Sequence, residues 1–125
     1  MSDDIEKITT DLVDLNYIQE ISGNDAEIEQ ELFQIYFEDT YQRLETIQNC
    51  ITNHDLPGIG AELHHLKGSS GNVGSRQIAK LVVDLEASYK TMEQSEILTE
   101  IQKIYSSLDE VKSILVAHYG GELFN

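Results

Sequence analysis

The sequence has no tryptophan and only one proline, Pro57, and one cysteine, Cys50, among its 125 residues. A single cysteine excludes an internal disulfide, and long proline-free stretches favour helices over short strands joined by turns. No run of 18 apolar residues is present, and the opening MSDDIEKITT lacks the basic and apolar regions of a signal peptide. We therefore expect a cytoplasmic protein that does not bind or cross a membrane.

Basic residues are also scarce, because 23 acids against 8 bases give a formal net charge of −15. Such a chain repels nucleic acids and anionic membranes, which excludes both as partners, and a basic patch on a protein partner is the expected counterpart. Solubility alone is an equally good reason for the acids. However, Asp and Glu are absent from Leu63 to Val83, where Lys67, Arg76 and Lys80 lie. This segment is expected to handle negative charge.

The hydrophobic pattern predicts one all-α domain that covers residues 1–125. A hydrophobic content of 40% in a chain of this length allows a buried core. Apolar residues recur at three- and four-residue steps, which is typical of amphipathic helices. The first predicted helix is short and ends at Ser22-Gly23. The second is long and runs from a capping box at Asn24 and Glu27 to about Asn53. The third, fourth and fifth are predicted over about 56–73, 75–92 and 95–118.

Four long helices with short connections imply an antiparallel four-helix bundle with a short additional helix at the N-terminus. Residues 1–14 are polar, and they are expected to form a loose arm or a short helix. Asp55 is predicted to cap the third helix, with Pro57 in its first turn. The second helix is expected to touch more than one neighbour, since its apolar stripe is wide and includes Ile28, Leu32, Phe33, Ile35, Tyr36, Phe37, Tyr41, Leu44, Ile47 and Ile51.

The most informative segment runs from His64 to Gly74 in the third predicted helix. Helical spacing places Ile59, Leu63, Leu66, Ser70 and Val73 on a core face. A second, exposed face holds Gly60, His64, Lys67, Gly68 and Gly71. Each interior glycine costs a helix about 1 kcal/mol relative to alanine, so these glycines indicate that something must approach the backbone closely. A crossing with another helix of the bundle is the alternative reason for them.

His64 lies at the centre of this exposed face. A largely neutral imidazole has a ring nitrogen that can attack phosphorus without a general base. Lys67, one helical turn later, places an ammonium where phosphoryl oxygens need charge compensation. The residues therefore indicate phosphoryl transfer through His64.

The pattern His-x-Leu-Lys-Gly-Ser-Ser-Gly-Asn-Val-Gly, from His64 to Gly74, resembles the signature of histidine-containing phosphotransfer domains of multistep phosphorelays. The lead-in Asp14-Leu15-Asn16-Tyr17-Ile18 and the long helix after it also resemble that family. The likeness covers most of the chain.

This resemblance implies a four-helix bundle that accepts a phosphoryl group from the aspartate of one response-regulator receiver domain and donates it to the aspartate of another. By position in the motif, His64 is the phosphorylated residue and Lys67 its charge partner. Gly68 and Gly71, with Gly60 and Gly74, form the expected docking surface, flanked by the second and fourth predicted helices.

The implied partners are receiver domains and a hybrid sensor histidine kinase. The protein is expected to be a monomeric phosphocarrier rather than an enzyme. It should have no ATP site, cofactor or metal of its own, because Mg²⁺ and a lysine of the receiver serve the transfer in this family.

Some alternatives stay open at this point. His65 adjoins His64 but projects about 100° away on a helix, so a surface role is its default interpretation and phosphate acceptance the alternative. An acidic helical adaptor that binds receivers without phosphotransfer is the competing function. A zinc or hydrolase site is disfavoured, since the chain lacks cysteine pairs and the i, i+4 histidine pair, and residues 63–83 contain no carboxylate. The sequence leaves open which ring nitrogen accepts phosphate and whether the chain is part of a longer kinase.

Overall fold

The computed structural model describes residues 11–121 and 123. Numbered in chain order, the helices are α1 Leu15–Ser22, α2 Ala26–Thr52, α3 Leu56–Asn72, α4 Arg76–Ser88, a 3₁₀ turn Tyr89–Thr91 and α5 Gln94–Tyr119. Within the described residues there is no strand, and the predicted all-α class is confirmed. None of these helices is long and apolar enough to cross a membrane.

Pairs of side chains show how the long helices run. Between α2 and α3, Arg43 bonds to Glu62 at 2.8 Å, and Tyr36 bonds to Ser70 at 2.8 Å. Because the α2 number falls as the α3 number rises, these two helices are antiparallel. Contacts of α3 with α4, α4 with α5 and α5 with α2 close the ring. The predicted four-helix bundle is confirmed, with α1 as an additional helix packed against α2.

The predicted N-terminal arm falls only partly within the described residues. Residues 1–10 lie outside them, whereas Leu12 and Val13 are buried in the core. The Asp14 N–H donates to the carbonyl of Gly74 at 2.7 Å, and the Asp14 carboxylate pairs with Arg76 at 3.0 Å. These contacts fix the start of α1 beside the turn between α3 and α4.

The start of α2 differs from the predicted one. Asp25, not Asn24, caps the helix, since its Oδ1 accepts from the N–H groups of Glu27 and Ile28 at 3.0 and 3.2 Å. Asn24 has a positive φ of 64°, and its N–H donates to the Gln19 carbonyl. The predicted cap at Asn24 is therefore wrong, because that residue completes the turn that ends α1.

The wide apolar stripe of α2 divides into a buried part and an exposed part. Phe33, Phe37 and Leu44 are buried in the core, but Ile28 is 43% exposed and Ile35 is 64% exposed. The prediction that this helix touches more than one neighbour is confirmed, since α2 contacts α1, α3 and α5, although these two isoleucines are exposed. Ile35 lies beside the last turns of α3, since the next residue, Tyr36, bonds to Ser70.

The far ends of α1 and α5 meet on α2 at Glu29. This buried carboxylate accepts from the Ser22 hydroxyl at 2.6 Å and from the Tyr119 hydroxyl at 2.7 Å. Burial, together with the nearby Glu29 carboxylate, raises the pKa of Tyr119. The hydroxyl therefore stays protonated and donating, which holds α1 and α5 to α2.

Candidate functional site

α3 is helical in spite of its glycines because its start is capped and one face is buried. Asp55 accepts from the Gly58 N–H at 3.0 Å, and Pro57 lies in the first turn, as predicted. The predicted core face is confirmed, since its members are all buried: Ile59, Leu63, Leu66, Ser70 and Val73. The opposite face of α3 is thereby directed outward.

His64 is on that outward face, and its side chain is 74% exposed. The ring is neither buried in the core nor covered by another helix. Its Nδ1 lies 3.3 Å from Oε2 of Glu86 on α4. One nitrogen of the ring thus faces a carboxylate, whereas the ring as a whole is open to an approaching molecule.

Lys67 reaches the same carboxylate. Its Nζ lies 2.9 Å from Oε1 of Glu86, so each oxygen of Glu86 contacts one of the two residues predicted from the motif. The hydrogen bond from the Lys67 ammonium is the main cause that lowers the pKa of Glu86 below its usual value. Glu86 is therefore ionised at neutral pH, and it forms a triad with His64 and Lys67.

Glu86 was not found from the sequence. It lies three residues after the segment 63–83, which has no Asp or Glu, and it adjoins the buried Leu85. Helical spacing therefore places Glu86 at the edge of the core. Its contact with α3 depends on how two helices pair across the bundle. Spacing along one helix carries no information on that pairing.

The glycines predicted to face a partner belong to two groups. At Gly68 and Gly71, an added Cβ would meet nothing within 4 Å, and both residues are exposed. The backbone of α3 is therefore open on the side of His64. These two positions have the accessibility that the docking prediction requires.

Gly60 and Gly74 require a correction, because the structure places them against other parts of the chain. A Cβ on Gly60 would collide with the hydroxyl of Tyr89, which is buried. Gly74 is buried with a φ of 73°, and a Cβ there would lie 2.9 Å from the Asp14 carbonyl oxygen. Gly60 allows close helix packing and Gly74 allows a left-handed turn, so neither residue offers an open docking position.

His65 points toward α2, away from the triad. Its Nε2 lies 3.4 Å from Asp39, which also pairs with Arg43 at 3.0 Å. Arg43 in turn pairs with Glu62. His65 is thus part of an ion network that joins α2 to α3 on the surface, in agreement with its default interpretation.

The other two histidines lie away from this site. His54 Nδ1 contacts Gln94 Nε2 at 2.9 Å, between the α2–α3 connection and the start of α5. The His118 ring packs edge-on against Tyr119 at the end of α5. Among residues 11–121 and 123, no group of three or more His, Cys, Asp or Glu side chains is arranged to hold a metal ion.

A family model described as Hpt domain matches residues 31–113. The match spans about two thirds of the chain and includes all of α3 and α4, with His64, Lys67 and Glu86, whereas α1 lies before it. No curated protein matches the chain.

Proposed function

The chain belongs to the Hpt domain family of two-component phosphotransfer intermediates, and we propose that His64 is the residue on which it carries the phosphoryl group. It accepts the group from the aspartate of one receiver domain and passes it to the aspartate of another. The supporting observation is the 74% exposed ring of His64, one turn from Lys67 and beside the open backbone at Gly68 and Gly71.

The contact with Glu86 indicates which ring nitrogen reacts. A neutral ring that donates its Nδ1–H to the Glu86 carboxylate keeps its lone pair on Nε2. In the transfer, the bond from phosphorus to the aspartyl oxygen breaks and a bond from phosphorus to Nε2 forms. The aspartate leaves with the electron pair as a carboxylate, and Nε2 has no proton to lose. We therefore assign Nε2 as the phosphoacceptor atom.

Lys67 has the charge to stabilise the phosphorylated product. Its ammonium can turn from Glu86 to a phosphoryl oxygen on His64, because Lys67 is one helical turn from His64 and its side chain is 40% exposed. The receiver supplies Mg²⁺ and a lysine for the charge that develops at the phosphoryl group. The chain itself therefore acts as a carrier, and its own contribution is an oriented nucleophile.

An exposed apolar surface on α1 and α2 is the proposed docking site for receivers. We name it the apolar flank, and it consists of Tyr17, Ile21, Ile28 and Ile35. Ile35 lies level with the last turns of α3, because the next residue, Tyr36, bonds to Ser70. Tyr17 lines a surface cavity of about 240 Å³ together with Gly71. Apolar side chains exposed in one region of a surface are typical of a protein interface.

A charge placed in the apolar flank should weaken docking without altering His64. We expect Ile35→Asp to slow transfer from a phosphorylated receiver by about tenfold or more, because the carboxylate must be desolvated at the interface. Leu98→Asp is the matched control, since Leu98 is an exposed apolar residue on α5 that is 41% accessible. It should leave the transfer rate near that of the wild type.

Chemical labelling of the same variants separates docking from reactivity. Potassium phosphoramidate, a small donor that needs no docking surface, should label His64 of the Ile35→Asp variant as fast as that of the wild type. Equal transfer rates from the receiver to the Ile35→Asp and Leu98→Asp variants would show that the apolar flank does not bind receivers.

The proposed function is tested by incubating the full chain with phosphorylated receiver domains. We expect radiolabelled phosphate to move to the chain in a form that is labile to acid and stable to base, as a phosphoramidate is, and then to move on to a second receiver. Binding without any labelling would instead support the acidic adaptor that competes with this function.

We further propose a cytoplasmic monomer whose partners include a hybrid sensor histidine kinase. The net charge of −15 supports a protein partner with a basic surface rather than nucleic acid or an anionic membrane. Size-exclusion chromatography with light scattering is the direct check of the monomeric state.

A further inference from the structure

Transfer of the phosphoryl group away from His64 depends on a proton at the other ring nitrogen. The bond from phosphorus to Nε2 breaks, a bond from phosphorus to the receiver's aspartyl oxygen forms, and the electron pair of the broken bond stays on Nε2. With a proton on Nδ1, the phosphorylated ring is cationic and leaves as neutral imidazole. Without that proton it must leave as an imidazolate anion, which is far more basic and therefore a poorer leaving group.

Glu86 contacts the nitrogen that must keep this proton. Its Oε2 lies 3.3 Å from Nδ1 of His64. The hydrogen bond from Lys67 lowers the pKa of the Glu86 carboxyl, so this group is ionised at neutral pH. An opposite charge at such a distance favours the charged form of a ring. The carboxylate therefore stabilises the phosphorylated ring that has its Nδ1 proton over the same ring without it.

We propose that Glu86 is a positioning residue that holds the proton on Nδ1 of phosphorylated His64 and so keeps the ring a good leaving group for transfer to a receiver aspartate. This inference rests on the proposed function of His64. The transfer itself neither takes up nor releases a proton, because the Nδ1 proton stays on the free, neutral ring. An uncharged amide in place of the carboxylate would hold the proton less strongly.

Phosphorylation strengthens this arrangement. The phosphoryl group adds about two negative charges, and they attract the ammonium of Lys67, which lies 2.9 Å from the other oxygen of Glu86. When Lys67 turns to the phosphoryl oxygens, Glu86 loses one cationic partner, and the cationic ring of His64 takes its place. The positive charge of the ring thus lies between two negative groups.

The carboxylates on the α2 side of α3 have other partners. Asp39 contacts His65, and Glu62 pairs with Arg43. In the sequence, no Asp or Glu occurs between residues 63 and 83. The charge opposite Nδ1 of His64 can therefore be altered through Glu86 with little change in the rest of the site.

Partial exposure limits the size of the effect. The side chain of Glu86 is 25% exposed and that of His64 is 74% exposed, so water and salt weaken the attraction. For unit charges about 4 Å apart under these conditions, we expect the carboxylate to strengthen proton binding by about three- to tenfold. The pH at which the phosphorylated ring loses half of its Nδ1 protons is then higher by about 0.5 to 1 pH unit.

The test compares Glu86→Gln with Asp84→Asn in the full chain. Both changes remove one negative charge from α4, but Asp84 is exposed and projects about 200° away from Glu86 around the helix. Lys90, an exposed cation four residues after Glu86, is present in both variants. Potassium phosphoramidate serves as the phosphate donor, so the labelling needs no receiver.

The first measurement is a ³¹P nuclear magnetic resonance titration of each phosphorylated chain from about pH 5.5 to about pH 9.5. The resonance of His64 is the one that is missing from His64→Ala. Glu86→Gln should lower the titration midpoint by about 0.5 to 1 pH unit relative to the wild type, and Asp84→Asn by less than about 0.2. The difference should shrink when KCl is raised from about 0.05 to about 0.5 M, and Glu86→Asp should fall closer to the wild type.

The second measurement is the single-turnover rate of transfer from each phosphorylated chain to an unphosphorylated receiver with Mg²⁺. At a pH well below both midpoints, Glu86→Gln and the wild type should donate at similar rates. Above the midpoints, the variant should be slower by about three- to tenfold, because a smaller fraction of its rings has the Nδ1 proton. A purely structural role of Glu86 predicts instead a change in rate that is the same at every pH.

Equal titration midpoints for Glu86→Gln and Asp84→Asn, or a higher midpoint for Glu86→Gln than for the wild type, would overturn the inference while the function of His64 stands. A ratio of rates that does not vary with pH would overturn it as well. If the phosphorylated wild-type chain donates to no receiver at any pH, the proposed function itself fails, whatever the midpoints are.

Discussion

Replacing His64 with alanine is expected to abolish labelling of the chain by a phosphorylated receiver. The ring nitrogen is the atom that forms the new bond to phosphorus, and the adjacent imidazole of His65 faces Asp39 on α2 instead. We expect the rate to fall by more than about 1,000-fold, to the background of the assay. The measurement is transfer of radiolabelled phosphate from the receiver to the chain under single-turnover conditions.

His65→Ala is the matched control, because it removes an imidazole from the adjacent position of the same helix. His65 faces Asp39 on α2 rather than the triad, so the variant should transfer at close to the wild-type rate. Both side chains are largely exposed, and each substitution should change the free energy of unfolding by only about 0.5 kcal/mol or less. Full labelling of the His64→Ala variant would refute the assignment of the acceptor.

The second large effect is expected at Gly71. A Cβ added there meets nothing within 4 Å and projects from the open face of α3. Gly71→Leu should leave the fold intact, and it should stabilise the helix by up to about 1 kcal/mol, because glycine is a poor helix former. The leucine side chain should also lie where a receiver is proposed to approach His64, and it should displace the receiver from the reacting ring. Misplacement of reacting groups by about 1 Å can cost about 100-fold in rate. We expect a loss of that order in transfer from the receiver.

Gly60→Ala provides the opposite control. Its Cβ would collide with the buried Tyr89, so this smaller change should lower the free energy of unfolding by about 1–3 kcal/mol, measured by urea denaturation. The folded fraction should still transfer phosphate at a rate close to that of the wild type. If Gly71→Leu transfers at the wild-type rate, Gly71 does not face the receiver.

The bundle was predictable because helix formation depends on residues close together in the sequence. The three- and four-residue spacing of Ile97, Ile101, Ile104 and Leu108 identified α5, and each of these residues is buried. The spacing did not separate the core from an exposed apolar surface, as Ile28 and Ile35 show. An exposed apolar surface and a core can have the same composition, so only the packed structure distinguishes them.

The site was predictable to the extent that it lies on one helix. His64, Lys67, Gly68 and Gly71 share a face of α3, and their spacing alone gives that result. Glu86 comes from α4, and its contact with the site depends on the pairing of two helices. Gly60 has the same spacing as the open glycines, but it packs against Tyr89. Its position was not predictable, because the sequence of α3 alone does not show which edge of the helix is covered by the rest of the chain.

The most direct measurement is nuclear magnetic resonance of the chain phosphorylated by a receiver, with ¹⁵N-labelled histidine and detection of the coupling between nitrogen and phosphorus. We expect one phosphorylated histidine, His64, with phosphorus bonded to Nε2 and a proton retained on Nδ1. Phosphate on His65, His54 or His118, or on Nδ1 of His64, would contradict the proposal that an exposed ring held by Glu86 presents Nε2 to its partners.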